Sequence, residues 1–104
     1  MSDLQNHVNQ IAATLTNGFG DEVNNDNEPM SAYDYLEDAL DIEYIVDRKK
    51  GYLGASVLVA FGGPTIWVNT RKGIVEGHWW GDSATAKFED NVDLDNALSD
   101  IFNC

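Results

Sequence analysis

The chain reads as an α+β domain: an antiparallel four- to five-stranded β-meander, with an N-terminal helix pair and a C-terminal helix packed on one face. Three observations carry this reading. Apolar residues recur at helical spacing near both ends of the chain, while the middle is rich in β-branched and aromatic residues. The turn signals between the central segments are also only a few residues long, which suits hairpins and cannot hold a parallel crossover.

Leu4, Val8, Ile11 and Leu15 fall on one face of a first helix, with Ser2 or Asp3 as its N-cap and Gly18 and Gly20 ending it. Residues 17–30 are rich in Asn, Asp, Glu and Gly and read as an acidic loop, with nothing in their hydrophobic pattern to hold it rigid. Ser31 and Asp34 have the spacing of a capping box, with Asp in place of the usual Glu or Gln. They open a second helix whose expected buried face is Tyr33, Leu36, Ala39 and Leu40.

Strands are expected over Ile42–Lys49, Tyr52–Phe61, Thr65–Thr70 and Ile74–Trp80, with turns at Lys50-Gly51, Gly62-Gly63-Pro64 and Arg71-Lys72-Gly73. The alternation of Ala84, Ala86 and Phe88 with Thr85 and Lys87 suggests a short fifth strand. Leu94, Ala97, Leu98 and Ile101 mark a last helix, capped by Asp93 or Asp90. At 104 residues, without a repeat or composition break, the chain is expected to form one domain over 1–104.

Charge is the strongest functional signal. Eighteen acidic residues against six basic ones give a formal net charge of −12. A surface so negative repels nucleic acid and anionic lipid and attracts cations or basic protein surfaces. No apolar run approaches the ~20 residues of a membrane span. The start lacks the basic and apolar segments of a secretory signal, and a single cysteine, Cys104, has no internal partner. Cytoplasmic residence follows as the expectation.

The charge is also segregated. A meander brings alternate turns to one end of the sheet, which puts Arg48, Lys49 and Lys50 beside Arg71 and Lys72. Carboxylates concentrate between Asp21 and Asp47 and again over Asp82–Asp100. Asp34, Glu37, Asp38, Asp41 and Glu43, together with Glu89, Asp90, Asp93 and Asp95, are the expected partner-binding acidic face if the second and third helices share a side of the sheet. Duplex DNA carries about one charge per ~1.7 Å of axis, so carboxylates along helix turns can partly imitate its phosphate array. The competing explanation is that these carboxylates serve only solubility.

Gly77-His78-Trp79-Trp80-Gly81-Asp82 is the densest group of recognisable side chains. Strand alternation is expected to send Trp79 and Trp80 to opposite faces, with Trp67 on the neighbouring strand. These three tryptophans are candidate anchors for a protein partner or a homodimer seam, since tryptophan is enriched at binding hot spots. A second small core beneath the long loop would account for them equally well. The apolar run Ala55–Phe61 is expected to be buried on both faces.

His78 and Asp82 can be posed as a base and its orienter, but no Ser or Cys nucleophile joins them convincingly, and His7 lies far off. No catalytic residue is assigned and no enzyme is expected. The loop over Asp21–Glu28 offers oxygen ligands for a weak calcium site, although its spacing does not match the EF-hand pattern. No metal site or cofactor is assigned.

The segment Phe61–Thr70 followed by Gly77–Asp82, in so acidic a small chain, resembles the phage and mobile-element inhibitors of the anti-restriction and anti-CRISPR type. The resemblance covers a small part of the chain and transfers no individual residue role. It implies a cytoplasmic, non-enzymatic inhibitor, partly a DNA mimic. Such an inhibitor binds the basic surface of a nucleic-acid-processing host protein, with no direct contact to nucleic acid or membrane. The alternatives are an immunity protein that neutralises a basic nuclease toxin and a small homo-oligomeric regulatory protein.

Overall fold

A computed structural model of the chain describes residues 3–104. The elements run α1 (Asp3–Asn17), α2 (Ala32–Glu37), β1 (Asp41–Val46), β2 (Tyr52–Ala60), β3 (Thr65–Asn69), β4 (Ile74–Trp79), β5 (Asp82–Lys87) and α3 (Leu94–Phe102). The sheet has the order β1-β2-β3-β4-β5 with every pair antiparallel, so the meander has five strands.

Cross-strand pairing shows which side chains share a face. Ile42, Val57, Val68, Val75 and Ala86 form one continuous row, as do Ile66, Gly77 and Ala84 in the next. This is the covered face. A Cβ built on Gly77 would meet Leu4 and Val8 at 2.8 Å, so α1 lies directly against β4 there and needs the missing side chain. Tyr44 and Tyr52 meet Phe102 of α3 at ring-centroid distances of 5.0 and 5.7 Å. Tyr33 Oη donates to Asp100 Oδ2 at 2.6 Å and joins α2 to α3. All three helices therefore pack on the same side, and Leu4, Val8, Leu15, Val57, Ile66, Val68, Val75, Leu94 and Leu98 form the buried centre between them and the sheet.

Several expectations are corrected. In α1 Ala12 joins Leu4, Val8 and Leu15 as a buried residue, while Ile11 packs half-buried against the same core. Asp3 is helical rather than a cap, and Ser2 lies outside the described residues. The helix α2 spans only six residues and buries Ala32 and Leu36, leaving Tyr33 and Leu40 exposed. It stops because the chain must join the sheet almost at once: Leu40 N–H already donates to Leu58 O.

At α3 the choice between caps is settled. Asp93 has a left-handed φ of 58° and makes no capping bond, whereas Asp90 accepts from Leu94 N–H and Asp95 N–H, both at 2.8 Å.

Among the described residues no helix lies on the opposite face of the sheet. Asp41, Leu58, Trp67, Glu76 and Thr85 form one row across it, and Glu43, Ser56, Asn69, Ile74 and Lys87 form the next. The expected burial of residues 55–61 on both faces therefore does not hold. Leu58 is half-buried on the uncovered face, and Phe61 is 72% exposed in the turn beyond the strand. Nor does the long loop build a second core there, since it lines clefts with α1 and α2 on the helical side.

Candidate functional site

The loop between α1 and α2 is built rather than slack. Asn24 Oδ1 accepts from Asp26 N–H at 2.9 Å and Glu28 N–H at 3.1 Å, an Asx-type arrangement that folds the chain back on itself. Asn24 N–H donates to Glu28 O, Met30 N–H donates to Glu22 O, and Val23 bridges Pro29, which makes a miniature hairpin. Asn24 Nδ2 then reaches Asp34 Oδ2 at 3.2 Å and fastens that hairpin to α2. Behind it the Phe19 ring stacks on Tyr35 with centroids 5.5 Å apart. Its composition is that of a loop, and no apolar pattern orders it. Side-chain amide bonds supply the order instead.

Asp34 is the hub of this corner. Ser31 Oγ accepts from Asp34 N–H, while Asp34 Oδ2 accepts from Ser31 N–H at 2.9 Å, completing the capping box read from the sequence. Hydrogen bonds from the Ser31 backbone, the Ser31 hydroxyl and Asn24 hold the Asp34 carboxyl below the usual aspartate range.

An acidic cleft of about 460 Å³ opens between loop and helix, lined by Glu22, Asp26, Asp34, Glu37 and Asp38 with Asn24, Asn25, Val23 and Met30. Three of the expected partner-binding residues, Asp34, Glu37 and Asp38, meet there. Glu22 and Asp26 belong with them but were not expected, because a loop without apolar pattern gives no sign that it folds back toward α2. Hard cations are an obvious thought for such a cleft. Among the described residues, however, no group of three or more His, Cys, Asp or Glu side chains converges as a metal site.

The remaining acidic residues do not join one continuous face. Asp41 and Glu43 project from β1 onto the uncovered side of the sheet, opposite Leu58 and Ser56. Glu89 and Asp90 follow the end of β5, where Phe88 N–H donates to Gly73 O, whereas Asp93 lines a cleft with Ser31, Ala32 and Tyr33 at the start of α2. Two of the C-terminal carboxylates have structural duties. Asp90 caps α3, and Asp95 Oδ1 accepts the Tyr52 hydroxyl at 2.6 Å. Burial, and then the bond to Asp95, push the Tyr52 phenol far above its ordinary value. Asp100 is engaged by Tyr33, whose own pKa is raised chiefly by that bond.

The basic residues fall at one end, as the meander requires. Arg48, Lys49 and Lys50 lie in the β1–β2 turn, Arg71 and Lys72 in the β3–β4 turn, and Lys87 pairs with Ile74 where β4 begins. The β3–β4 turn packs against β2 close to the first turn: a Cβ on Gly54 would come within 2.7 Å of Arg71 Cβ. Asp47 holds the first turn by accepting from Lys49 N–H and Gly51 N–H.

The tryptophans separate. Trp67 is half-buried on the uncovered sheet face between Leu58 and Glu76. Trp79 ends β4 and is 37% exposed. Trp80 does not continue the strand to the opposite face, because it forms the two-residue β4–β5 turn with Gly81 and is 91% exposed. His78 stands opposite Ser83, whereas Asp82 stands opposite Trp79. Alternation along the strands then puts His78 and Asp82 on different faces, so they do not form a base–orienter pair.

No helix among the described residues is long and apolar enough to cross a membrane. No protein-family model, curated protein or solved structure matches this chain.

Proposed function

We propose that this protein is a non-enzymatic inhibitor that binds the basic, nucleic-acid-binding surface of a host protein of the restriction or CRISPR type. Its acidic cleft and the adjoining carboxylates occupy the place of nucleic-acid phosphates. The observation that carries the reading is the convergence of Glu22, Asp26, Asp34, Glu37 and Asp38 on one cleft whose loop is held in place by hydrogen bonds. Asp34 is already fixed by Ser31 and Asn24 and loses little freedom when a lysine or arginine enters, and the net charge of −12 steers a basic partner toward the cleft. The cytoplasm is where such a target would be met.

An immunity protein against a basic nuclease toxin would use the same cleft.

The test is displacement of labelled duplex DNA from purified basic nucleases and from restriction and CRISPR effector complexes. The native protein should release the DNA with an affinity that weakens steeply as salt rises. The Glu37→Gln/Asp38→Asn variant should release it less well and associate more slowly. Displacement that is insensitive both to salt and to this variant would rule out the acidic cleft as the contact.

A further inference from the structure

We propose that the end of the sheet opposite the basic turns is an aromatic docking point, which inserts Trp80 and Phe61 into an apolar pocket on a basic protein partner. The inference rests on the reading of this protein as a ligand of basic surfaces, and it names a second contact in addition to the acidic cleft.

The meander topology brings the β2–β3 and β4–β5 turns to one end, together with the entry to β1. Four large apolar side chains stand exposed there: Trp80 at 91%, Phe61 at 72%, Leu40 at 60% and Trp79 at 37%. None of them belongs to the core formed beneath the helices. Five other large apolar side chains are exposed elsewhere, but this end carries the three most exposed of all, Trp80, Phe61 and Leu40.

The backbone at Trp80 is a second, independent sign. Trp80 and Gly81 have φ of 51° and 84°, the pattern of a type I′ hairpin turn. The first position of such a turn favours Asn, Asp or Gly, and a bulky aromatic there is a conformational outlier. The ring gains no burial in return. Strain of this kind at an exposed position is characteristic of binding sites, where the side chain serves a partner rather than the fold.

Charge selects the kind of partner. All six Lys and Arg residues lie at the other end of the sheet, while Asp38, Asp41 and Asp82 adjoin the exposed side chains in sequence. Apolar anchors flanked by carboxylates match an apolar pocket with a basic rim. An anionic membrane would be repelled by those carboxylates, and a second copy docked through the same end would oppose them to themselves.

The experiment uses the full chain and two labelled synthetic peptides of equal length and charge, one a Lys/Leu amphipathic helix and the other Lys/Ser. Phosphatidylcholine vesicles with and without phosphatidylserine, and sedimentation of the protein alone, provide the other arms. The Lys/Leu peptide should bind roughly tenfold or more tightly than the Lys/Ser peptide, with a blue shift of tryptophan emission. Phe61→Ser/Trp80→Asn should abolish that preference while leaving the Lys/Ser affinity unchanged. Glu37→Gln/Asp38→Asn should instead weaken both peptides. Equal affinity for the two peptides, or a preference that survives Phe61→Ser/Trp80→Asn, overturns the docking point while leaving the acidic reading standing. Failure to bind either peptide overturns both readings. Binding to vesicles, or self-association lost in Phe61→Ser/Trp80→Asn, assigns the aromatic end to lipid or to a second copy and overturns the proposed partner.

Discussion

Asn24 donates its side-chain amide to Asp34 Oδ2 at 3.2 Å, and this contact joins the acidic loop to the first turn of α2. The same side chain accepts from Asp26 N–H and Glu28 N–H, so Asn24 both folds the loop and attaches it. Asn24→Ala should therefore loosen the cleft without disturbing the sheet. Hydrogen exchange at the Asp26 and Glu28 amides is expected to accelerate, with a loss of about 1 kcal/mol in global stability. Unchanged exchange at both amides would mean that the loop is held by something other than Asn24.

The Asp34 carboxylate supplies a pH dependence with a definite sign. Its folded-state pKa lies below the unfolded value because Ser31 and Asn24 donate to the charged form. The stabilisation is thus present above the ordinary aspartate pKa of about 3.9 and fades as pH falls through the lower folded value. An NMR titration should show the Ser31 amide shifting with a midpoint below that of an unstructured aspartate. A midpoint at or above the ordinary value would contradict the capping network.

Much of the fold was legible because its cues are local. The five strands follow β-branched alternation broken by Gly-containing turns, and the helix faces follow the spacing of Leu4, Val8 and Leu15 and of Leu94, Ala97 and Leu98. The basic pole was legible for a topological reason, since a meander leaves only one arrangement of alternate turns. What failed depends on individual side-chain bonds. Nothing in hydrophobic periodicity shows that Asn24 reaches Asp34, and without that contact Glu22 and Asp26 have no reason to join Asp34, Glu37 and Asp38. The single acidic face dissolved because strand alternation turned Asp41 and Glu43 to the uncovered side, while Asp90 and Asp95 were engaged by α3 and Tyr52. Alternation places Trp80 on a sheet face only if β4 continues one residue past Trp79, where it ends. The cue was Gly81, which closes a two-residue turn beginning at Trp80 itself.

The contact between β2 and the β3–β4 turn rests on a missing side chain. Gly54 is buried on β2, and a Cβ there would lie 2.7 Å from Arg71 Cβ and 3.1 Å from the Arg71 backbone. Backbone cannot swing aside as a flexible side chain can. Gly54→Ala should push the β3–β4 turn away from β2 and lower stability by about 1–3 kcal/mol, read by thermal or denaturant unfolding. A neutral or stabilising result would show that Arg71 does not pack there.

Tyr52 connects β2 to α3 through Asp95, and its ring lies beside Tyr44 and Phe102. Tyr52→Phe keeps the ring packing and removes only the hydroxyl donated to a carboxylate, with an expected cost of about 1–2 kcal/mol. The raised phenol pKa adds a second readout. Its stabilising contribution is complete below the unfolded tyrosine value of about 10 and is lost as pH rises toward the higher folded value. The native protein should therefore lose stability in strongly alkaline solution, and Tyr52→Phe should lose less over the same interval.

Trp80 separates stability from binding. It occupies a left-handed position at φ 51° while burying almost none of its ring, so the fold carries the strain without gaining packing. Asn is among the residues that tolerate this conformation, and Asn-Gly is the preferred pair for a two-residue hairpin turn. Trp80→Asn should stabilise the protein by about 1 kcal/mol, which for a domain of this size raises Tm by roughly 4–8 °C. A gain in Tm combined with loss of the preference for an apolar basic ligand would identify Trp80 as a residue kept for recognition at the expense of stability. A fall in Tm would instead place the indole within the packing of the β4–β5 turn, and the strain at this position would then need no partner to account for it.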